Sequence, residues 1–186
     1  YGTTQTSTQT SIYNNSTVNV NLGRRINVYF DGSLDDVQIY NRALTSDEIQ
    51  AQYESGRGSY ALSGDGLVAQ YSGRDYNATH ILDTNPVVEG ATENTTQGKR
   101  FDGTDDYINL GTNFDLNGKS EMTISLWTKM NSYTHATNNA IIRGGSTGVN
   151  NFFIYARQDG GFGYSLGTTG TNAVIETTTP GGLYTA

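Results

Sequence analysis

Between Tyr29 and Tyr53 the chain changes period once, abruptly. Val37 and Ile39 fall on one side of an extended segment, with Asp36, Gln38 and Tyr40 on the other, the two-residue alternation of a strand. The pattern then turns helical. Thr45 is followed three residues later by Glu48, the spacing of a capping box, in which a hydroxyl and a carboxylate each take one orphan backbone N–H. Leu44 and Ile49 flank that cap as a hydrophobic staple, and Tyr53 lies one turn beyond Ile49. The spacing predicts a strand running directly into one short helix that packs back through Leu44, Ile49 and Tyr53.

The rest of the composition has to suit that strand. Apolar residues make up 34% of 186, with 23 glycines and 13 tyrosines, and long helical patterns are absent. A thin core spread over many strands and turns follows, that is, an all-β sandwich. The net charge of −7 argues against nucleic-acid binding, which needs a basic footprint. It suits solubility outside cells and the binding of cations. With no cysteine, a disulfide framework and a zinc–thiolate site are excluded. No apolar run reaches membrane-spanning length and no signal peptide is visible, so no membrane insertion is expected. A chain opening at Tyr1 without Met reads as a mature or excised piece. N-x-Ser/Thr acceptors stand at Asn14, Asn15, Asn77 and Asn94, and matter only in a host that glycosylates.

The segment Tyr29–Tyr53 resembles the closing phrase of laminin G-like, concanavalin A-like jelly-roll domains, of the form FxGxIDDVRIYNRALSxxEIxxLY. Phe30, Gly32, Leu34, Asp35, Asp36, Val37, Ile39, Tyr40, Asn41, Arg42, Ala43, Leu44, Glu48, Ile49 and Tyr53 carry the match. Before it, Val18, Val20 and Leu22 alternate inward, and Gly23-Arg24-Arg25 reads as a turn into a strand Ile26–Phe30. After it, residues 54–65 (ESGRGSYALSGD) have no period and read as a linker. Gly66–Tyr71 then resembles the family's first strand, Arg100–Ile108 its "FDGxDDYV" strand and Met122–Lys129 its "FTISxWVK" strand. Extended segments at Ile141–Arg143, Phe152–Arg157, Phe162–Leu166 and Ala173–Glu176 follow.

The order is therefore inverted. Residues 1–53 resemble the C-terminal half of the domain, 54–65 a linker and 66–186 the N-terminal half. The hairpin that the family places between them is missing near the cut. Three origins fit: a slice across two tandem repeats, a permuted domain, or a filament subunit whose neighbours exchange strands head to tail. Isolated, the half 1–53 would expose an apolar face and open strand edges. Either both halves close on each other in cis, or each is completed by an adjacent copy. Contacts of the second kind do not close, so they build fibres.

Candidate chemistry is sparse. Asp102, Asp105 and Asp106 cluster at one turn, with Asp31, Asp35 and Asp36 at its counterpart. The resemblance implies calcium at Asp102, Asp105 and Asp106. Equally, these acids can cap turns through backbone N–H groups. The more distant pentraxins place acids soon after "LG", whereas Leu22-Gly23 here precedes Arg24 and Arg25, whose charges oppose a metal. For a glycan, Tyr133, His135, Asn138, Arg143, Tyr155 and Arg157 are candidates, with Phe153, Tyr155 and Arg157 sharing one strand face. The same tyrosines can equally cover a sheet with wet hydroxyls. Trp127 reads as core packing. His80 and His135 lie far apart, and the alternating acids of related jelly-roll glycosidases have no counterpart, nor is there a P-loop or a nucleophile elbow.

These readings converge on an all-β, antiparallel two-sheet jelly-roll sandwich of concanavalin A-like type with one short helix. No enzymatic activity is expected. The expected role is a secreted or cell-surface adhesion or glycan-binding module, part of a repeat or assembly, partnered by glycans or matrix components and by copies of itself. The alternatives are a filament subunit joined by strand exchange and an accessory domain of a secreted glycosidase.

Overall fold

The computed structural model describes residues 19–55, 65–71, 80–81, 87–94, 98–112, 116, 119–132, 139–144, 152–157, 161–168 and 171–176. Its early strands are β1 (Val20–Leu22), β2 (Arg24–Arg25), β3 (Val28–Tyr29) and β4 (Asp31–Tyr40), followed by helix α1 (Ser46–Ser55). After residues 56–64 come β5 (Leu67–Tyr71), β6 (His80–Ile81), β7 (Val87–Glu89), β8 (Thr92–Asn94), β9 (Gly98–Asp102) and β10 (Tyr107–Asn109). The last five are β11 (Thr123–Met130), β12 (Asn139–Gly144), β13 (Phe152–Ala156), β14 (Phe162–Thr168) and β15 (Thr171–Glu176).

Two antiparallel layers form. One is seven-stranded, in the order β15-β14-β13-β12-β1-β10-β7. The other runs β6-β5-β4-β9-β8, with β11 on the opposite edge of β4. The two early strands that enter these layers, β1 and β4, are central. β1 is flanked by β10 and β12, while β4 takes β11 along one edge and β5 and β9 along the other. The parts before and after residues 56–64 thus interleave within one chain. Their apolar faces meet in one interior that combines Val20, Leu22, Phe30, Leu34, Val37 and Ile39 with Ala69, Phe101, Ile108, Ile141, Ile142 and Phe152. Phe30 and Phe101 meet edge to face at 5.8 Å.

A bulge sets the course of β4. Ser125 pairs with Gln38 and Trp127 with Asp35, so two residues of β4 face one of β11. Asp36 absorbs the extra residue with φ 47°. On the far edge, β9 pairs with Asp31–Leu34 and β5 with Val37–Tyr40. Both sides of β4 are buried: Val37 and Ile39 enter the core, while Gln38 and Tyr40 lie under α1.

The capping box forms as its spacing requires. The Glu48 N–H donates to Thr45 Oγ1 at 3.3 Å, and the Thr45 N–H to Glu48 Oε2 at 2.8 Å. The helix does not pack back through its apolar residues, however. Ile49 is 52% exposed and Tyr53 72%. The buried contact is polar: Gln52 Nε2 donates to Gln38 Oε1 at 2.7 Å and to Tyr40 Oη at 2.9 Å. Gln38 and Tyr40 had already filled that side of the strand with hydrogen-bonding groups, and a buried amide satisfies them where a leucine could not. Trp127 is likewise not a core residue. It pairs with Asp35, on the α1 side of the layer, and stacks on Tyr53 at 6.0 Å. The expected strand Ile26–Phe30 is a tight hairpin instead, with Ile26 and Asn27 as its turn between β2 and β3.

Candidate functional site

On the side of the seven-stranded layer away from the core, three polar residues form a row. Asn21 of β1 pairs with Asn109 of β10 on one side and with Arg143 of β12 on the other. Their neighbours along each strand, Leu22, Ile108 and Ile142, point into the core, so alternation turns this row outward. Asn19 and Tyr107 lie two residues from Asn21 and Asn109 and share that side.

The β2–β3 hairpin walls the row. Gly23 allows it, with φ 78° and no room for a side chain: a Cβ there would lie 2.6 Å from the Phe101 ring. The chain turns sharply, and Arg24 places its guanidinium carbon 4.5 Å above the Tyr107 ring. Arg24 Nε also braces the hairpin by donating to the Ile26 carbonyl at 3.0 Å. Arg25 lies over Phe153 at 5.2 Å. Together Asn19, Asn21, Arg24, Ile26, Tyr107, Asn109 and Arg143 line a pocket of about 380 Å³.

Its electrostatics are one-sided, since none of those seven residues is acidic. Arg143 is only 9% exposed and, among the described residues, makes no hydrogen bond or ion pair. Burial, and then the nearby charge of Arg25, pull its pKa below the usual arginine value. The amides are only partly used: Asn109 Oδ1 accepts from the Gly111 N–H at 2.9 Å, which leaves its NH₂ group to the pocket. Chemically this is a polar, cationic recess with amide donors and a tyrosine edge. Among the described residues that line it there is no paired acid and base.

Of the sequence-derived glycan candidates, Arg143 belongs to this pocket. Tyr155 is 2% exposed and stacked on Phe153 at 4.8 Å, so its ring supports Phe153 rather than offering a free face. Arg157 is half-buried at the end of β13, where its backbone N–H donates to the Gly161 carbonyl at 2.8 Å. Tyr133, His135 and Asn138 lie outside the described residues. Asn19, Asn21, Arg24, Tyr107 and Asn109 were not singled out beforehand as ligand contacts. The alternation around Val20 does turn Asn19 and Asn21 outward, but only the strand order brings them beside Asn109 and Arg143.

The acidic cluster is real but occupied. One carboxylate oxygen each of Asp102, Asp105 and Asp106 lies within 4.8 Å of the others. Asp106 Oδ2 accepts the Asp102 N–H at 2.8 Å and Asp102 Oδ1 the Thr104 N–H at 2.8 Å. Asp106 Oδ1 is packed so closely on Gly90 that a Cβ there would collide with it. Burial raises the Asp106 pKa against the hydrogen bond from Asp102, and the charges of Asp102 and Asp105 add to the rise. Two of the three carboxylates already hold a turn, and calcium takes six to eight oxygens, so a calcium ion here would draw on further oxygens beside these three. The counterpart acids are also committed: Asp35 and Asp36 are buried in the bulge, and Asp31 Oδ1 accepts from Asn131 at 3.1 Å.

Two antiparallel layers over one apolar interior, with a polar recess on an outer face, define a lectin-type β-sandwich. The chain belongs to the concanavalin A-like lectin/glucanases superfamily, whose laminin G-type description it matches over residues 1–50 and 102–183. Comparison with curated proteins and with solved structures returns no match. Among the described residues no helix is long and apolar enough to cross a membrane.

Proposed function

We propose that the protein is a non-catalytic glycan-binding module acting outside the cell or at its surface, with the pocket around Asn21 as its binding site. The observation that supports this most is the row Asn109–Asn21–Arg143, in which amide and guanidinium groups converge on one recess beside a tyrosine ring. Sugar hydroxyls need such donors and acceptors, and a sugar ring needs an aromatic edge or face beside them. A pocket with a few convergent polar groups on a rigid sheet is the kind of surface a small ligand selects. A glycan array probed with the purified protein tests the reading. Binding to a defined subset, lost in Asn21→Ala, supports it; a blank array for a folded protein sinks it.

A second reading, self-association by strand addition, draws on a different region. Among the described residues β11 pairs only with β4, which leaves its other edge open. Beside that edge Met122, Ile124, Phe152 and Phe162 line an apolar cleft of about 350 Å³. An added strand would satisfy the backbone edge and cover the cleft together. Light scattering over a wide concentration range decides it: a monomer throughout rejects the reading.

A further inference from the structure

We infer that the pocket around Arg143 takes an anionic group, a carboxylate or a sulfate ester, carried on a carbohydrate. This rests on the glycan-binding reading and narrows it to acidic sugars. Arg143 is the key observation. An arginine buried along most of its length, with its guanidinium reaching solvent only through a pocket, usually has an acid or several carbonyls against it, because partial desolvation of an unpaired charge is costly. Here the exposed remnant is 9%, and no hydrogen-bonding or ionic partner stands among the described residues. The segments that precede β1 and follow β12, residues 1–18 and 145–151, contain neither Asp nor Glu, and the acid that the strand register places beside the recess, Glu89, pairs with Tyr107 at the β7 side, three strands from Arg143.

The surroundings sharpen the choice. Arg24 lines the same recess, and Arg25 stands close enough to depress the Arg143 pKa. Three of the chain's 11 cationic side chains therefore gather on one small face of a protein whose net charge is −7. A neutral sugar would fill the recess and leave Arg143 uncompensated. A carboxylate or sulfate would supply the missing acceptor in the forked geometry that guanidinium favours, and charge-assisted bonds of that kind are about twice as strong as neutral ones. Asn19, Asn21 and Asn109 would then serve the hydroxyls around the charged group.

Titration calorimetry with three probes separates the possibilities: tetragalacturonate, its fully methyl-esterified form, and a heparin-derived tetrasaccharide. The expected result is binding of one or both charged probes, weakening as salt rises, with at least a tenfold loss for the methyl ester. The Arg143→Met variant should lose that binding while melting no lower than the parent, because it removes a partly desolvated charge that makes no hydrogen bond or ion pair among the described residues. Arg24→Gln, at the pocket wall, should weaken binding several-fold and serves as a second probe if Arg143→Met does not fold. Equal binding of the ester and the acid, or unchanged binding in both variants, overturns the inference but leaves the glycan reading standing. Failure of both charged probes overturns it too, and the array result then decides the broader reading by itself.

Discussion

Ile26 carries a φ of 56°, a left-handed value that a β-branched side chain adopts at a cost. It occupies the first turn position between β2 and β3, where a two-residue hairpin of this kind ordinarily has glycine, and it is 46% exposed. Nothing in its burial repays the strain, but its position on the pocket wall does supply a use for it. Ile26→Gly should raise stability by about 1 kcal/mol, read as a higher Tm, while altering the pocket. A lower Tm would show that the side chain's contacts outweigh its backbone. Gly23 is the opposite case. With φ 78° and the Phe101 ring 2.6 Å from any added Cβ, Gly23→Ala meets both backbone strain and overpacking. It should cost about 2 kcal/mol and lower the Tm by roughly 4–8 °C. An unchanged Tm would mean that the hairpin can leave the core without penalty.

At the scale of the element, α1 is held by polar groups at both ends of its packing. Arg42 grips Glu48 through two contacts of 2.9 and 2.7 Å, and its Nε donates to the Asp65 carbonyl at 3.0 Å. Together with the Thr45 N–H, Arg42 holds the Glu48 pKa down from 4.5 to about 2. Because the folded value lies below the unfolded one, this contribution is complete above pH 4.5 and disappears as the pH falls toward about 2. Glu48→Gln should therefore lower the Tm at neutral pH and flatten its decline across that acid window; an identical acid limb in parent and variant would remove Glu48 from the account. Sequence spacing revealed the cap, since Thr45 and Glu48 are local. It did not reveal the packing face. Ile49 and Tyr53 look like the buried side of a helix until Gln38 and Tyr40, on a strand that also alternates, are seen to require Gln52. The acid turn also behaves as a local device. If Asp102 and Asp106 serve only their backbone donors, added calcium and then chelator should leave the Tm unchanged, and a calcium-dependent rise would show a site the turn conceals.

For the molecule as a whole, the family and its two separate matching segments were legible because both parts of the chain carry dense family phrases. Strands such as Val37–Ile39 and Val20–Leu22 were also legible, since period two survives without a partner in view. The pocket was not, because Asn21, Asn109 and Arg143 are far apart in the chain and meet only through the pairing of β10, β1 and β12. The same pairing makes the two parts inseparable. Cleavage within residues 56–64 should leave fragments that stay associated under native conditions and separate only in denaturant; fragments that part freely would show that β1 and β4 are not the central strands of their layers.

That central placement also bears on how the fold is reached. β1 and β4 precede every strand they pair with, and β11 and β12 follow them by some 80 to 120 residues. One edge of β4 can be filled early by β5 and then β9, whereas its other edge waits for β11, and β1 waits for β10 and β12. Such distant partnerships slow folding. In pulse-labelled hydrogen exchange the β4 amides that face β11 should gain protection only when β11 does, and earlier protection of that edge would mean that an interim mate shelters it.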